Sequence, residues 1–171
     1  IPYLWPELDV PLYASPFTAG LIRTKLDEHG LREQAELIEV PVGGEMSIGP
    51  FQFKYIPLAH SIPEGNALVI TTPFGKVFHT GDWKFDEDPI IGSPALPQEL
   101  RAIGDQGILA LIGDSTNVFN AESAGSEGRV RDTLIRELKD RDGRILVTTF
   151  ASNAARLDTL GRVAEATGRH V

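Results

Sequence analysis

Hydrophobic and polar positions run in two different rhythms along the chain. From Glu36 to Thr80 the apolar residues come in short runs, "ELIEV", "FQFKYIP", "ALVITT" and "KVFHT", which read as strands. "VGGE" breaks the first gap, and "PFG" (Pro73 to Gly75) predicts a hairpin turn between the last two. Upstream, "VPLYAS" predicts a short strand that feeds a helix. Ser15 suits its N-cap and Pro16 its first position, with Phe17, Leu21, Ile22 and Leu26 as the apolar face and Gly30 as the stop.

The second half changes to longer units. "ILALIGD" and "RILVTTF" are continuous apolar runs, the pattern of buried strands. Each is followed by an amphipathic helical pattern: "SEGRVRDTLIRELKDRDG", with Val130, Leu134, Ile135 and Leu138 inward, and "SNAARLDTLGRVAEATG", with Ser152 as its cap. Strand–helix alternation predicts a parallel α/β layer. The polar stretch "NVFNAESAGSEG", Asn117 to Gly128, is the candidate domain boundary. The chain begins at Ile1 without Met and ends on "TGRHV", and we read it as an internal piece of a longer protein.

Composition narrows the chemistry. With 171 residues, 42% of them hydrophobic, the chain can bury a core. No run approaches the ~18 apolar residues of a membrane span, and no signal segment opens the sequence. Cysteine is absent, so any metal must be held by His, Asp or Glu. A cytoplasmic setting is compatible with that. The formal charge of −8 argues against a general nucleic-acid-binding surface, although a metal site brings positive charge of its own.

The candidate residues stand at strand ends. His60 closes an apolar run and begins the loop "SIPEG". A hydrogen-bonded strand-end histidine is its ordinary reading, a metal ligand the sharper one. Asp82 follows "KVFHTG", where Gly81 lets the backbone turn; a turn-forming aspartate is the commoner reading there. His79, three residues earlier, falls on the opposite strand face and is assigned a structural or supporting role. Asp114 follows "ILALIG" and precedes "STN". Ligands gather where strand ends meet. His29, before Gly30, is read as a helix-end residue, and His170 carries no signal.

These residues also carry a resemblance. "AHSIPEGNALVITTPFGKVFHTGDWKFD", then "LIGDSTN", then "ILVTTFASNAARL" resemble the ribonuclease J family, β-CASP members of the metallo-β-lactamase superfamily. The early segment "IPYLWPELDVPLYASPFTAGLIRTKLDEHGL" looks like the stretch just downstream of that family's HxHxDH motif. The resemblance implies an α/β fold: residues 1–118 as part of an αββα layered core, and 119–171 as the start of a β-CASP domain. It further implies that His60 is a ligand to one zinc, that Asp82 bridges two, and that Asp114 supports the metal-site histidines and a proton relay. Ser61 and Lys84 lie beside the ligands and are candidates to support them, with an ordinary structural role favoured for both. The implied activity is zinc-dependent RNA cleavage, both endonucleolytic and 5′-to-3′ exonucleolytic, by a cytoplasmic homo-oligomer that acts on RNA and has no membrane partner. HxHxDH and the later β-CASP histidines are absent from the chain. Two alternatives therefore stand beside this reading: a non-catalytic module for assembly or RNA-machinery contacts, and a metallo-hydrolase of small esters.

Overall fold

The computed structural model describes residues 1–86, 88–94, 96–120 and 125–171. Among these, the first half holds α1 (Trp5–Leu8), β1 (Leu12–Ala14), α2 (Pro16–Glu28), β2 (Leu37–Glu39), β3 (Glu45–Ile48), β4 (Phe51–Pro57), β5 (Asn66–Thr72) and β6 (Gly75–His79). The second holds α3 (Pro97–Gly104), β7 (Ile108–Ile112), α4 (Glu127–Leu138) and α5 (Ala154–Thr167). The fold is mixed α/β, as the sequence implies.

β1 and β2 form a small parallel pair. Its core is made with α1 and α2 from Trp5, Ala14, Ala19, Ile22, Leu26 and Ala35. Along α2 the buried positions are Ala19, Ile22 and Leu26. Leu21, expected inward, is exposed, because a step of one residue from Ile22 turns a side chain ~100° around the helix.

The second sheet has the order β3-β4-β5-β6-β7. Its first three pairings are antiparallel, and β7 adds to β6 in parallel. Thr72 pairs with Gly75, so Pro73 and Phe74 form a two-residue hairpin turn. α3 packs on this sheet, where Ile103 joins Ile56, Leu58, Ala67 and Val69 in one buried cluster. Ile56 is 1% exposed, and burial of such a side chain stabilises by about 1.5–3 kcal/mol.

The second half departs from expectation. β7 is a strand but not a buried one: Leu109, Leu111 and Ile112 are exposed, and only β6 pairs with it, its other edge being open among the described residues. Residues 144–150 form no strand. No neighbour among the described residues offers them a ladder, and Leu146, Val147 and Phe150 are exposed. The parallel α/β layer predicted here is therefore reduced to the β6–β7 pair, with α4 and α5 packed on each other. α4 does turn Val130, Leu134, Ile135 and Leu138 to its half-buried side. The cap of α5 is Asn153, one residue after the expected Ser152. The expected boundary, Asn117 to Gly128, includes residues 121–124, which lie outside the described residues.

Candidate functional site

His60 is held by three separate elements. β4 ends at Pro57, and Leu58 and Ala59 follow as buried residues. The N–H of Leu58 donates to the Gly65 carbonyl at 2.9 Å, which closes the loop that carries His60. Position 65 has no room for a side chain, since a Cβ there would lie 2.5 Å from the Leu58 oxygen. The Lys84 N–H donates to the Ala59 carbonyl at 3.1 Å and ties this loop to the segment after β6. The Glu64 carboxylate accepts from the Phe17 N–H at 2.7 Å and ties it to the first turn of α2. The half-buried His60 ring places Nδ1 3.1 Å from the Ser61 hydroxyl.

Asp82 is placed by the end of β6. The buried Thr80 donates its N–H to the Ile112 carbonyl at 2.9 Å, the last bond of the β6–β7 pairing. Gly81 then turns the chain with φ +60°, a conformation that glycine adopts without steric penalty. Its N–H donates to His79 Nδ1 at 3.0 Å. His79 is exposed and serves the turn, in keeping with the structural role expected of it. His29 is the C-cap residue of α2, and its ring meets Tyr3 edge to face at 4.9 Å.

His60 and Asp82 line one cleft of about 750 Å³, together with Ser61 and Lys84 from the same loops. A second wall is built from the starts of α4 and α5: Ser126 and Glu127 from one, Asn153 and Arg156 from the other. Ser126 and Asn153 cap their helices by accepting the N–H of Arg129 at 3.2 Å and of Arg156 at 2.9 Å. Glu127 and Arg156 form a two-point ion pair of 2.6 and 3.1 Å. That pairing raises the pKa of the guanidinium further.

Asp114 stands beside the cleft, exposed at the end of β7. Its carboxylate accepts from the Thr116 hydroxyl at 2.6 Å and the Thr116 N–H at 2.9 Å. These bonds hold its pKa below the ordinary aspartate range, with smaller help from the charge of His60 and the Trp83 N–H. Asp114 is thus within electrostatic reach of His60, although it is not part of the cleft lining.

Sequence reading missed Asp86, Glu127, Asn153 and Arg156. Ser126 directly before an amphipathic run was a visible helix-start signal, and Lys84 and Asp86 two residues apart were a visible charge pair. The distance in sequence between Glu127 and Arg156 left no such trace. Among the described residues, no group of three or more His, Asp or Glu side chains could hold a metal ion.

No family model matches the chain. A solved structure described as a protein of unknown function from Enterococcus faecalis V583 superposes with a TM-score of 0.64 over 91% of this chain and 39% of that one, at 18% identity, and shares its fold. Curated relatives are far closer in sequence. Ribonuclease J of Sinorhizobium meliloti is 42% identical over 98% of this chain and 30% of its own length. Ribonuclease J 1 of Streptococcus pyogenes serotype M3 is 39% identical over 100% of this chain and 30% of its own. Ribonuclease J of Thermus thermophilus is 37% identical over 100% of this chain and 31% of its own. The chain spans about 30% of the length of these relatives, and with identity sustained from end to end it belongs to the ribonuclease J family.

Proposed function

We propose that the chain contributes part of the active cleft of a metal-dependent ribonuclease that cleaves RNA internally and from the 5′ end. The observation that carries this reading is the meeting of His60 and Asp82, from two different strand ends, in one cleft. Family membership supplies the reaction class. Residues 1–118 would be core and 119–171 the opening of the second domain, so that the cleft lies where the two meet. The same resemblance supports zinc, two ions of it, as the metal, and a cytoplasmic homo-oligomer as the form that acts on RNA. No helix among the described residues is long and apolar enough to cross a membrane.

The donor chemistry fits a metal in part. With Nδ1 facing Ser61, His60 has Nε2 left to bind, a single directed nitrogen that adds no charge. Asp82 offers two carboxylate oxygens on the same cleft wall, and it is exposed enough to turn toward a cation. These are two donors, whereas a catalytic zinc takes at least three from the protein. A bound metal pair supplies an activated water and positive charge beside the scissile phosphate. The chain's own contribution is to hold the His60 ring by Ser61, to fix Asp82 by the Gly81 turn, and to keep Asp114 ionised beside the His60 ring.

The test is RNA cleavage by a full-length polypeptide carrying this sequence. Asp82→Asn should lower metal content and rate together while thermal unfolding changes little. Asp114→Asn should lower the rate by roughly 10–100-fold with metal retained, the usual loss when a supporting group is removed. Near-normal cleavage and full metal occupancy in Asp82→Asn would make Asp82 a turn residue. The second reading, a non-catalytic module for assembly or contact with RNA machinery, is favoured by the incomplete donor set among the described residues. That outcome would select it.

A further inference from the structure

Behind the cleft lining, a buried carboxylate joins three charged lining residues, Lys84, Glu127 and Arg156, in an arrangement that neither His60 nor Asp82 explains. The Asp86 side chain is 1% exposed, and a buried carboxylate is unstable without partners. It has three. The Lys84 ammonium lies 3.0 Å from Oδ2, the Asp88 N–H donates to Oδ1 at 3.1 Å, and the Glu127 N–H donates to Oδ2 at 3.4 Å. The last bond crosses 41 residues of sequence and reaches the first residue of α4. A carboxylate at a helix start also meets the positive end of the helix dipole. From the same residue, the Glu127 carboxylate continues to Arg156 in the first turn of α5. A backbone bond runs parallel to this path, from the Ala155 N–H to the Ser61 carbonyl at 3.2 Å.

We infer that Asp86 is a positioning residue that joins the two walls of the cleft. On one side it fixes Lys84, whose N–H holds the His60 loop and which follows Asp82 by two positions. On the other it anchors α4 and, through Glu127 and Arg156, α5. One buried carboxylate thus links the wall that carries His60 and Asp82 to the wall built from the starts of α4 and α5. Removal of its charge frees Lys84 and weakens the start of α4, and leaves the Ala155–Ser61 backbone bond to join the walls. The expected effect on turnover rests on the ribonuclease reading above; the mechanical coupling does not.

The test compares Asp86→Asn, Glu127→Gln and the double variant by amide hydrogen exchange. Asp86→Asn should speed exchange at Glu127, Arg129 and Arg156 and leave the β5 amides of Leu68 to Ile70 unchanged. The double variant should add less than the sum of the single ones, since both break one path. In RNA cleavage by a full-length polypeptide, Asp86→Asn should lower kcat by roughly 10–100-fold with a much smaller change in KM, the pattern of misplaced reacting groups. Unchanged exchange at the starts of α4 and α5, or an equal rise in β5, would overturn the inference. Should Asp86→Asn fail to fold, Lys84→Met removes the same pair from its more exposed side, and unchanged exchange at α4 would again overturn it. If the unmodified polypeptide cleaves no RNA, the ribonuclease reading falls, and the exchange comparison still decides the role of Asp86.

Discussion

The backbone N–H of Asp114 donates to the side-chain oxygen of Thr80 at 3.0 Å, which joins the end of β7 to the end of β6. The same hydroxyl donates to the Gly81 carbonyl at 2.7 Å. Thr80 is 5% exposed, so both bonds are made out of water. Thr80→Val keeps the shape and deletes both bonds, leaving two backbone groups without their partner. Unfolding stability should fall by about 1–3 kcal/mol, read from the midpoint of urea unfolding. Thr80→Ser keeps the hydroxyl and should fall by less than the valine variant. A larger loss in the serine variant would show that the methyl group, not the hydroxyl, is what the site needs.

The depressed pKa of Asp114 gives a signed prediction. Its folded value lies below the ordinary one, chiefly because Thr116 donates two hydrogen bonds to the ionised form. Its contribution to stability is therefore fully present above the ordinary aspartate value of about 3.9 and disappears as pH falls through the lower folded value. A carboxyl carbon titration by NMR should place Asp114 below the ordinary aspartate value, and Thr116→Val should move it up. A Thr116→Val titration that coincides with the unmodified one would remove the hydroxyl as the cause.

Much of this arrangement was legible in the sequence, for physical reasons that differ by element. The β4–β5–β6 meander announced itself because its alternation and its "PFG" turn are local signals. The turn at Gly81 was legible because glycine before aspartate at a strand end has few other uses. Residues 144–150 misled because a continuous apolar run specifies burial, while a strand also requires a partner edge, which local sequence does not record. α3 was missed because its 8 residues allow barely two turns, with Leu100 and Ile103 as the only periodic pair. The Asp86–Glu127–Arg156 path joins residues far apart in the chain, and a single sequence carries no mark of such pairings.

Two glycines make opposite predictions. Gly65→Ala puts a Cβ 2.5 Å from the Leu58 carbonyl oxygen, a clash with backbone that no side-chain rotation relieves. The loop that holds His60 must open, at a cost on the order of 2 kcal/mol or more. Gly20 lies inside α2, with nothing within 4 Å of an added Cβ and no positive φ. Gly20→Ala should stabilise by about 0.5–1 kcal/mol, since alanine loses less freedom in a helix. Thermal unfolding of the pair checks the sign of each. A neutral Gly65→Ala would mean that the Leu58–Gly65 bond does not hold the loop.

Tyr55 supplies the alkaline counterpart. It is 8% exposed, and burial raises its phenol above the usual value of about 10. Its hydroxyl approaches the Tyr13 carbonyl at 3.5 Å, too long to compensate for the loss of water. A raised folded value means that its stability contribution is present below pH about 10 and is lost as pH rises through the folded value. Absorbance titration should show a component above pH about 10 that is absent in Tyr55→Phe. A late component that persists in Tyr55→Phe would remove Tyr55 as its source.

Metal binding by the 171-residue chain alone tests the partial donor set most directly. His60 and Asp82 offer two ligands in one cleft, and among the described residues no third side chain completes a group. Zinc sites that hold their ion through dialysis use three or four protein ligands at ~2.0–2.3 Å. Two ligands leave the remaining positions to water, which exchanges freely. Zinc should therefore bind weakly in titration calorimetry and leave on dialysis, below one ion per chain. Whatever heat is seen should vanish in both His60→Ala and Asp82→Asn and persist in Asp105→Asn, which removes a carboxylate away from the cleft. Stoichiometric zinc after dialysis, unaffected by either cleft variant, would place a complete site elsewhere and detach His60 and Asp82 from metal chemistry.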